Sequence, residues 1–215
     1  MIYINDDIYG FSAEKIAECI ENLPSQRREV ALRFKHDLGR RQCVLAYQLL
    51  CDGLEHEYGI TDKPLFSYGE HGKPSIIGHE DIHFNLSHCK TAVACAISDK
   101  PIGIDIESIR PAKETVIRYA MNDAEVQRIM ESSNPDLDFT RLWTIKESVL
   151  KLTGEGINDD MKNVLASNNL RNISIKTTVC DEYVWSVAKA DGPLPTLALR
   201  RAGHCSPLIS GQRDI

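Results

Sequence analysis

Two pairs of charged residues have the types and spacing that phosphate chemistry needs, and the first is Asp105 with Glu107. They lie two apart where isoleucine alternates with other residues, so in a strand both carboxylates leave one face, about 7 Å apart. Neighbouring carboxylates are the hard ligands that Mg²⁺ binds together with waters and substrate phosphates. By spacing alone the solvated face of an amphipathic strand is the commoner explanation, and both interpretations stay open.

The second pair is Glu147 and Lys151, four apart in a segment with helical periodicity. They share a face nearly opposite the apolar stripe of that helix, and Lys146 lies at the edge of the stripe. An exposed pair at this spacing is common and stabilises a helix by only about 0.2–0.5 kcal/mol. If the face instead lines a cleft, Glu147 can bind a metal or act as a base while the lysines neutralise phosphate.

Other candidates carry little information by themselves. Gly72-Lys73-Pro74 is a tight turn that either presents a lysine to a ligand or is only a turn. His88, which follows Ser87, has the chemistry of a phosphate ligand or proton shuttle but equally that of a structural residue. Arg41 can reach an anion or extend from a helix face into solvent.

Apolar periodicity predicts the elements that must position these side chains. Helical patterns cover 12–22, 25–57, 112–132 and 137–153, and strand patterns cover 82–86, 91–98, 102–107, 172–178 and 182–189. The helix over 137–153 should end at the Gly-containing segment 153–156. A turn at 99–101 predicts an antiparallel hairpin of strands 91–98 and 102–107. Strands and helices segregated in this way indicate an α+β fold.

The composition limits the classes of function. With 215 residues and a net charge of −6, the chain suits one compact unit and argues against broad phosphate neutralisation on a nucleic acid. We find no secretory leader and no run of about 18 apolar residues, so we expect a cytoplasmic protein that does not span a membrane. Seven cysteines without a Cys-x-x-Cys pair are expected to be reduced, mostly in the core.

Four segments, taken in order, resemble the successive motifs of the 4′-phosphopantetheinyl transferase superfamily, in its two-half, Sfp-type group. They are Gly72-Lys73-Pro74, Phe84 to His88, Ile102 to Glu107, and Leu142 to Lys151. The resemblance covers roughly residues 25–156 and implies two similar, pseudo-symmetric α+β halves with the active site at their interface. The N-terminal half would be 1–100, contributing to coenzyme A binding, and the C-terminal half 101–215, carrying the acids and the catalytic helix.

The resemblance also implies roles for individual residues. Asp105, Glu107 and Glu147 match the magnesium-binding acids, and Glu147 matches the proposed base, acting directly or through water. Lys151 and His88 complete the implied catalytic set. The residues implied in coenzyme A binding are Arg41, Lys73, Pro74, Ser87, His88, Lys146 and Lys151. Arg27 and Arg28 lie where the family has further basic phosphate contacts.

The reaction so implied moves phosphopantetheine from coenzyme A to a serine of an apo acyl or peptidyl carrier protein, with Mg²⁺, in a protein expected to be a monomer. Two alternatives stay open: a magnesium-dependent hydrolase of a nucleotide or diphosphate ester, and a non-catalytic homologue that binds carrier or coenzyme A. For carrier docking the candidate surface is the segment 111–140, with Arg118, Tyr119, Met121 and Arg128, and ordinary helix surface is the alternative explanation.

Overall fold

The computed structural model of the chain describes residues 1–69, 72–154, 161–166 and 168–192, and within these ranges it combines helices and strands. In chain order they are β1 (Ile2–Asn5), α1 (Ala13–Glu21), α2 (Ser25–Arg33), α3 (Asp37–Tyr58), β2 (Phe66–Tyr68), β3 (Pro74–Ile76), β4 (His83–His88), β5 (Val93–Ser98), β6 (Ile102–Ser108), α4 (Glu114–Ala120), α5 (Asp123–Met130), α6 (Pro135–Thr153), a short 3-10 helix (Met161–Asn163), β7 (Ile173–Val179) and β8 (Tyr183–Ala190). The predicted α+β class is confirmed.

Two antiparallel, three-stranded sheets form the framework. The first has the order β1-β5-β4 and the second β6-β8-β7, while β2 and β3 pair as a separate two-stranded unit. Each large sheet places its last strand in chain order between the other two. Apolar side chains of α1 to α3 pack on the first sheet, and those of α4 to α6 pack on the second. The pseudo-symmetry of two halves, with a boundary near residue 100, remains a prediction.

The predicted hairpin of strands 91–98 and 102–107 is wrong, although both strands exist. β5 is hydrogen-bonded to β1 on one side and to β4 on the other, so it has no free edge for β6, which pairs with β8. The isoleucine face of β6 instead packs on the alanine face of β5 in one apolar cluster that includes Ile104, Ile106, Ala94 and Ala96. Burial of the isoleucine face of β6 against the alanine face of β5 therefore determines that the two strands lie in different, packed sheets and not in one hairpin.

Two predicted helices are each divided. The helix expected over 25–57 breaks between α2 and α3, because Phe34 is extended (φ −68°, ψ 124°) and its carbonyl accepts a hydrogen bond from Arg40 Nε at 3.0 Å. The Phe34 ring lies where a Cβ on Gly39 would be, 2.5 Å from the nearest ring atom. The helix expected over 112–132 breaks at Asn122, which forms a reciprocal capping box with Glu125 at the start of α5.

Several smaller expectations also have outcomes. Helix α6 ends as predicted, at Gly154 in the left-handed conformation (φ 80°). The predicted late strands are found as β7 and β8. Six cysteines in the described ranges are free thiols, and three of them are buried, while Cys205 lies outside those ranges. No helix among the described residues has the length and apolarity to cross a bilayer.

Gly103 in β6 allows the backbone of α6 to approach the sheet closely. A Cβ at Gly103 would lie 2.2 Å from the Ser148 carbonyl oxygen and 2.4 Å from the Leu152 nitrogen. Both atoms belong to the helix backbone, so no side-chain rotation can relieve the overlap. The absence of a side chain at Gly103 thus fixes how closely the helix bearing Glu147 and Lys151 lies against the strand bearing Asp105 and Glu107.

We expect Gly103→Ala to destabilise the fold by about 1–3 kcal/mol or more, because the methyl group must displace a helix backbone. The free energy of unfolding, measured in urea, checks this. Gly69→Ala is the matched control, since the nearest atom to a Cβ there is the Lys73 carbonyl oxygen at 3.8 Å. Equal stability of the two variants would contradict the close approach.

Candidate active site

The site begins where β4 and β6, edge strands of different sheets, lie side by side. Asn85 Oδ1 accepts a hydrogen bond from the Ile104 amide at 2.9 Å, and Ser87 Oγ accepts one from the Ile106 amide at 3.3 Å. Buried amides of an edge strand need partners, and here side chains of the neighbouring strand supply them in place of a backbone ladder. The segment 84–88 therefore joins the two sheets.

Lys151, Asp105 and Ser87 form a buried junction across this joint. The Lys151 ammonium donates to Asp105 Oδ1 at 2.7 Å and to Ser87 Oγ at 2.9 Å, and Ser87 Oγ donates to Asp105 Oδ1 at 3.0 Å. Asp105 is only 4% exposed. The carboxylate face of β6 is therefore covered by α6, and the solvated-face explanation of this strand is wrong.

Asp105 retains one oxygen for a further ligand. Its Oδ2 is buried and has no hydrogen-bond partner within the described part of the chain. A buried carboxylate oxygen in that condition is costly unless something positive or hydrogen-bonding reaches it. Asp105 is thus suited to binding an additional cationic or hydrogen-bonding group.

The other two acids extend the junction along the strand and along the helix. Glu107 is half-buried, and burial together with the negative charge of Asp105 raises its pKa to about 7, although the positive charges of Arg110 and Lys151 and a hydrogen bond with Trp143 oppose the rise. Glu147 is buried, 8% exposed, one helical turn before Lys151. It does not lie on a solvated helix face.

A divalent cation fits this donor set chemically. Asp105 offers a buried oxygen, and the raised pKa of Glu107 reports a desolvated carboxylate beside another negative charge, which a cation would relieve. No three His, Cys, Asp or Glu side chains in the described ranges are already arranged around a common metal position.

His88 ends β4 beside the same junction. Burial, together with the positive charge of Lys151, lowers the pKa of His88, so the imidazole is held toward its neutral form. The next residue, Cys89, accepts a hydrogen bond through its carbonyl from Gln42 Nε2 at 2.7 Å. This contact places the first turns of α3 next to the end of β4.

Lys73 reaches the far end of α6. Its ammonium donates to the Leu152 carbonyl at 2.7 Å, and burial lowers its pKa to about 8. The turn that it shares with Pro74, the first residue of β3, thereby holds the C-terminal end of the helix, where a cation is favourable. Whether these two residues also contact nucleotide remains a prediction.

Arg41 lies at the start of α3, folded onto the N-terminal segment. It donates to Asp37 Oδ2 and to the Phe11 carbonyl, and its guanidinium carbon lies 5.1 Å from the centre of the Tyr9 ring. Only 5% of Arg41 is exposed. In this structure its charge is directed at protein groups, and its contact with a phosphate stays a prediction.

Arg27 and Arg28 are likewise directed at protein groups. Arg27 donates to Cys43 Sγ at 3.3 Å and lies 5.5 Å from the Phe66 ring centre. Arg28 donates to the Glu21 carbonyl at 2.6 Å. Arg27 therefore connects α2 to α3 and β2, and Arg28 connects α2 to the end of α1.

The structure does not bring Lys146 to the junction, in contrast to its expected place near coenzyme A phosphates. Its side chain is fully buried, and its ammonium donates to the Ala120 and Met161 carbonyls and to Glu125 Oε2, at 2.7 to 2.9 Å. The reason is helical geometry, because adjacent residues of a helix point about 100° apart. Lys146 therefore faces α4 and α5.

Three contributors were not predicted from the sequence. Asn85 joins the sheets, Gly103 admits the helix, and Trp143 lines the same cleft as Glu107. A glycine inside an otherwise regular strand pattern is the signal that could have identified Gly103, since it marks close approach of another backbone.

Beyond Glu107 a cleft of about 390 Å³ opens between the segment 107–116 and helix α6. Phe139 and Trp143 line it on the side of α6, and the exposed Arg110 and Lys113 line it on the other side. A cleft lined by both aromatic rings and charged groups, next to clustered acids, is a candidate site for a ligand or a partner.

The protein is an α+β chain in which one strand and one helix bring acids and a lysine together. A model of the 4′-phosphopantetheinyl transferase superfamily matches residues 101–195. A 4′-phosphopantetheinyl transferase from Bacillus subtilis is 32% identical to this chain, in a match that covers 62% of this chain and 61% of the length of that relative. The transferase Sfp of Bacillus subtilis (strain 168) is 30% identical over 70% of this chain and 71% of its own. The transferase gsp of Aneurinibacillus migulanus is 41% identical over 63% of this chain and 58% of its own.

The chain belongs to the 4′-phosphopantetheinyl transferase superfamily, in the group that includes Sfp. The match spans less than two thirds of the first and third of these relatives.

We expect Ser87→Ala to destabilise the fold by about 1–3 kcal/mol, because the Ile106 amide would lose its partner in a buried joint. Thermal and urea unfolding check this. Ser67→Ala is the matched control, since Ser67 is exposed and its hydroxyl only meets Ser75 Oγ at 2.8 Å. A loss no greater than the control's would show that the Ser87 contacts do not hold the sheets together.

Proposed function

We propose that the chain transfers 4′-phosphopantetheine from coenzyme A to a serine of an apo acyl or peptidyl carrier protein. The observation that carries the proposal is the junction of Lys151, Asp105 and Ser87, with Glu107 and Glu147 beside it, in a chain of this superfamily. Transfer of a phosphoryl group depends on positioning and charge neutralisation more than on covalent help from the protein. Clustered acids and a lysine at a cleft supply both.

The reaction balances without another reactant. The carrier serine oxygen forms a bond to the phosphorus next to pantetheine, and the bond from that phosphorus to the bridging pyrophosphate oxygen breaks. Adenosine 3′,5′-bisphosphate leaves with the bonding electrons. The serine proton goes to Glu147, directly or through a water, because a carboxylate near the attacking oxygen can act as general base.

Lys151 and the residues of the N-terminal half would bind the coenzyme A side of the reaction. The Lys151 side chain is 28% exposed, so it can reach a phosphate while still contacting Asp105. Ser87 and His88 lie beside it on β4 and are proposed to contact the nucleotide portion. Arg41, Lys73 and Pro74 are proposed to do so from α3 and from the turn before β3.

We propose that Asp105, Glu107 and Glu147 hold Mg²⁺. When bound, the ion neutralises the pyrophosphate and favours departure of the leaving group. The donor set consists of carboxylate oxygens alone, which is the chemistry that Mg²⁺ prefers. Lys151 lies close enough to balance part of the negative charge of these acids when no cation is bound.

The carrier is proposed to approach through the cleft beyond Glu107. Arg110 and Lys113 give its edge positive charge on a chain whose net charge is −6, which suits an acidic partner. The structure corrects one member of the expected docking face, because Met121 is fully buried among α4 to α6. Tyr119 is 50% exposed and stays a candidate contact.

We further propose that the protein acts as a monomer in the cytoplasm. Both parts of the single chain contribute to the junction: Ser87 comes from residues 1–100, and Asp105 and Lys151 come from residues 101–215. A second copy is therefore not needed to complete these contacts.

Incubation of the chain with coenzyme A, Mg²⁺ and a panel of apo fatty-acid, peptide and polyketide carriers should add about 340 Da to a carrier serine. Intact-protein mass spectrometry measures the gain. Glu147→Gln, which keeps the shape and removes the charge, should slow the gain by about 10²-fold or more. Wild-type activity in that variant would remove Glu147 from both proposed roles.

The same assay separates the alternatives. Release of adenosine 3′,5′-bisphosphate without any carrier would identify a hydrolase. Binding of coenzyme A or carrier, with neither mass gain nor nucleotide release on any carrier, would indicate a non-catalytic homologue.

Mg²⁺ should raise the melting temperature more at about pH 8 than at about pH 6, because a bound ligand stabilises the folded state and must displace the proton from Glu107 below its pKa. The folded pKa of about 7 lies above the ordinary 4.5, so the folded, metal-free protein holds this proton between those values. Differential scanning calorimetry at matched ionic strength measures the shift. Glu107→Gln should lose the difference between the two pH values, and an equal shift in the wild type at both would contradict the Glu107 contribution.

A further inference from the structure

The buried ammonium of Lys146 connects three separate segments to helix α6. It donates to the Ala120 carbonyl at the end of α4, to Glu125 Oε2 in the first turn of α5, and to the Met161 carbonyl in the 3-10 helix. An ammonium has three protons, and each of them has an acceptor here. With 0% of its side chain exposed, Lys146 has neither a free donor nor an open path to a ligand.

Glu125 links the Lys146 ammonium to the turn between α4 and α5. The same Oε2 atom that accepts from Lys146 also accepts from the Asn122 amide at 2.8 Å, as part of the capping box of α5. One carboxylate oxygen therefore holds both the turn between α4 and α5 and the ammonium on α6. Removing one member of a buried pair leaves the other charge uncompensated, so the connection is sensitive to a single substitution.

The connection lies behind the cleft proposed to receive the carrier. Lys113 and Val116, at the start of α4, form one wall of that cleft, and Phe139 and Trp143 of α6 form the other. Ala120, which closes α4, is the point that Lys146 holds. The position of the α4 wall relative to α6 therefore depends on a contact that is buried inside the protein.

We infer that Lys146 is a positioning residue for the carrier: it sets the cleft between α4 and α6 by tethering α4 and α5, and it does not contact coenzyme A. The inference rests on the proposed function only for the identity of the cleft's occupant. A tether of this kind alters recognition of the carrier without altering the affinity for coenzyme A, since misplacing a binding wall by about 1 Å can cost up to about 10²-fold.

The test compares Lys146→Met, which keeps the volume and removes the donors, with Lys162→Met, the same change at an exposed lysine on the 3-10 helix. Hydrogen–deuterium exchange should show faster exchange at residues 114–131 in Lys146→Met only. KM for the apo carrier should rise about tenfold or more, while the dissociation constant of coenzyme A, measured by calorimetry, stays within about twofold. Hydrogen–deuterium exchange does not require catalysis. It therefore tests whether Lys146 tethers α4 and α5 even if the wild type modifies no carrier.

A second variant tests whether the effects of Lys146→Met arise from a folding defect. Lys146→Met combined with Glu125→Gln removes both charges, which is tolerated better than an unpaired buried carboxylate. It should show the same fast exchange and the same rise in KM for the carrier. Wild-type exchange at 114–131 in the folded variants, an unchanged KM for the carrier, or weakened coenzyme A binding would each overturn the inference.

Discussion

The contact between the backbone of α6 and β6 at Gly103 is the constraint on which the rest of the site depends. The Ser148 carbonyl and the Leu152 amide lie where a side chain at Gly103 would be. Because the helix lies this close to the strand, the Lys151 ammonium reaches Asp105 at 2.7 Å, and Glu147 is buried one helical turn before Lys151. A larger residue at Gly103 would lift the helix and move the lysine away from the carboxylate.

The joint between the sheets determines how β4 lies beside β6 at the site. β4 does not extend the ladder of β6, but Asn85 and Ser87 supply acceptors to its amides, so the two edge strands are held in a defined register. Ser87 thereby has two roles, since the hydroxyl that holds the Ile106 amide also contacts Lys151 and Asp105. One atom thus holds the joint between the sheets and contacts two candidate site residues.

Electrostatic balance differs at the two lysines of α6. Lys151 offsets the charge of Asp105 but keeps part of its side chain exposed, so its ammonium can also serve a ligand. Lys146 is saturated by protein acceptors and holds α4 and α5 in place behind the cleft. Burial and neighbouring charge leave Glu107 with a raised pKa, which is the part of the balance that a cation would complete.

The sequence by itself determined the α+β class, the strand carrying Asp105 and Glu107, the helix carrying Glu147 and Lys151, and the family, because periodicity and motif order are local properties. Only the tertiary structure decided that β5 and β6 belong to different sheets, and that the long helix predicted from residue 25 breaks near Phe34. It also decided the opposite environments of Lys146 and Lys151. These outcomes depend on which surfaces are covered by segments distant in the chain, and spacing along a sequence carries no information about such partners.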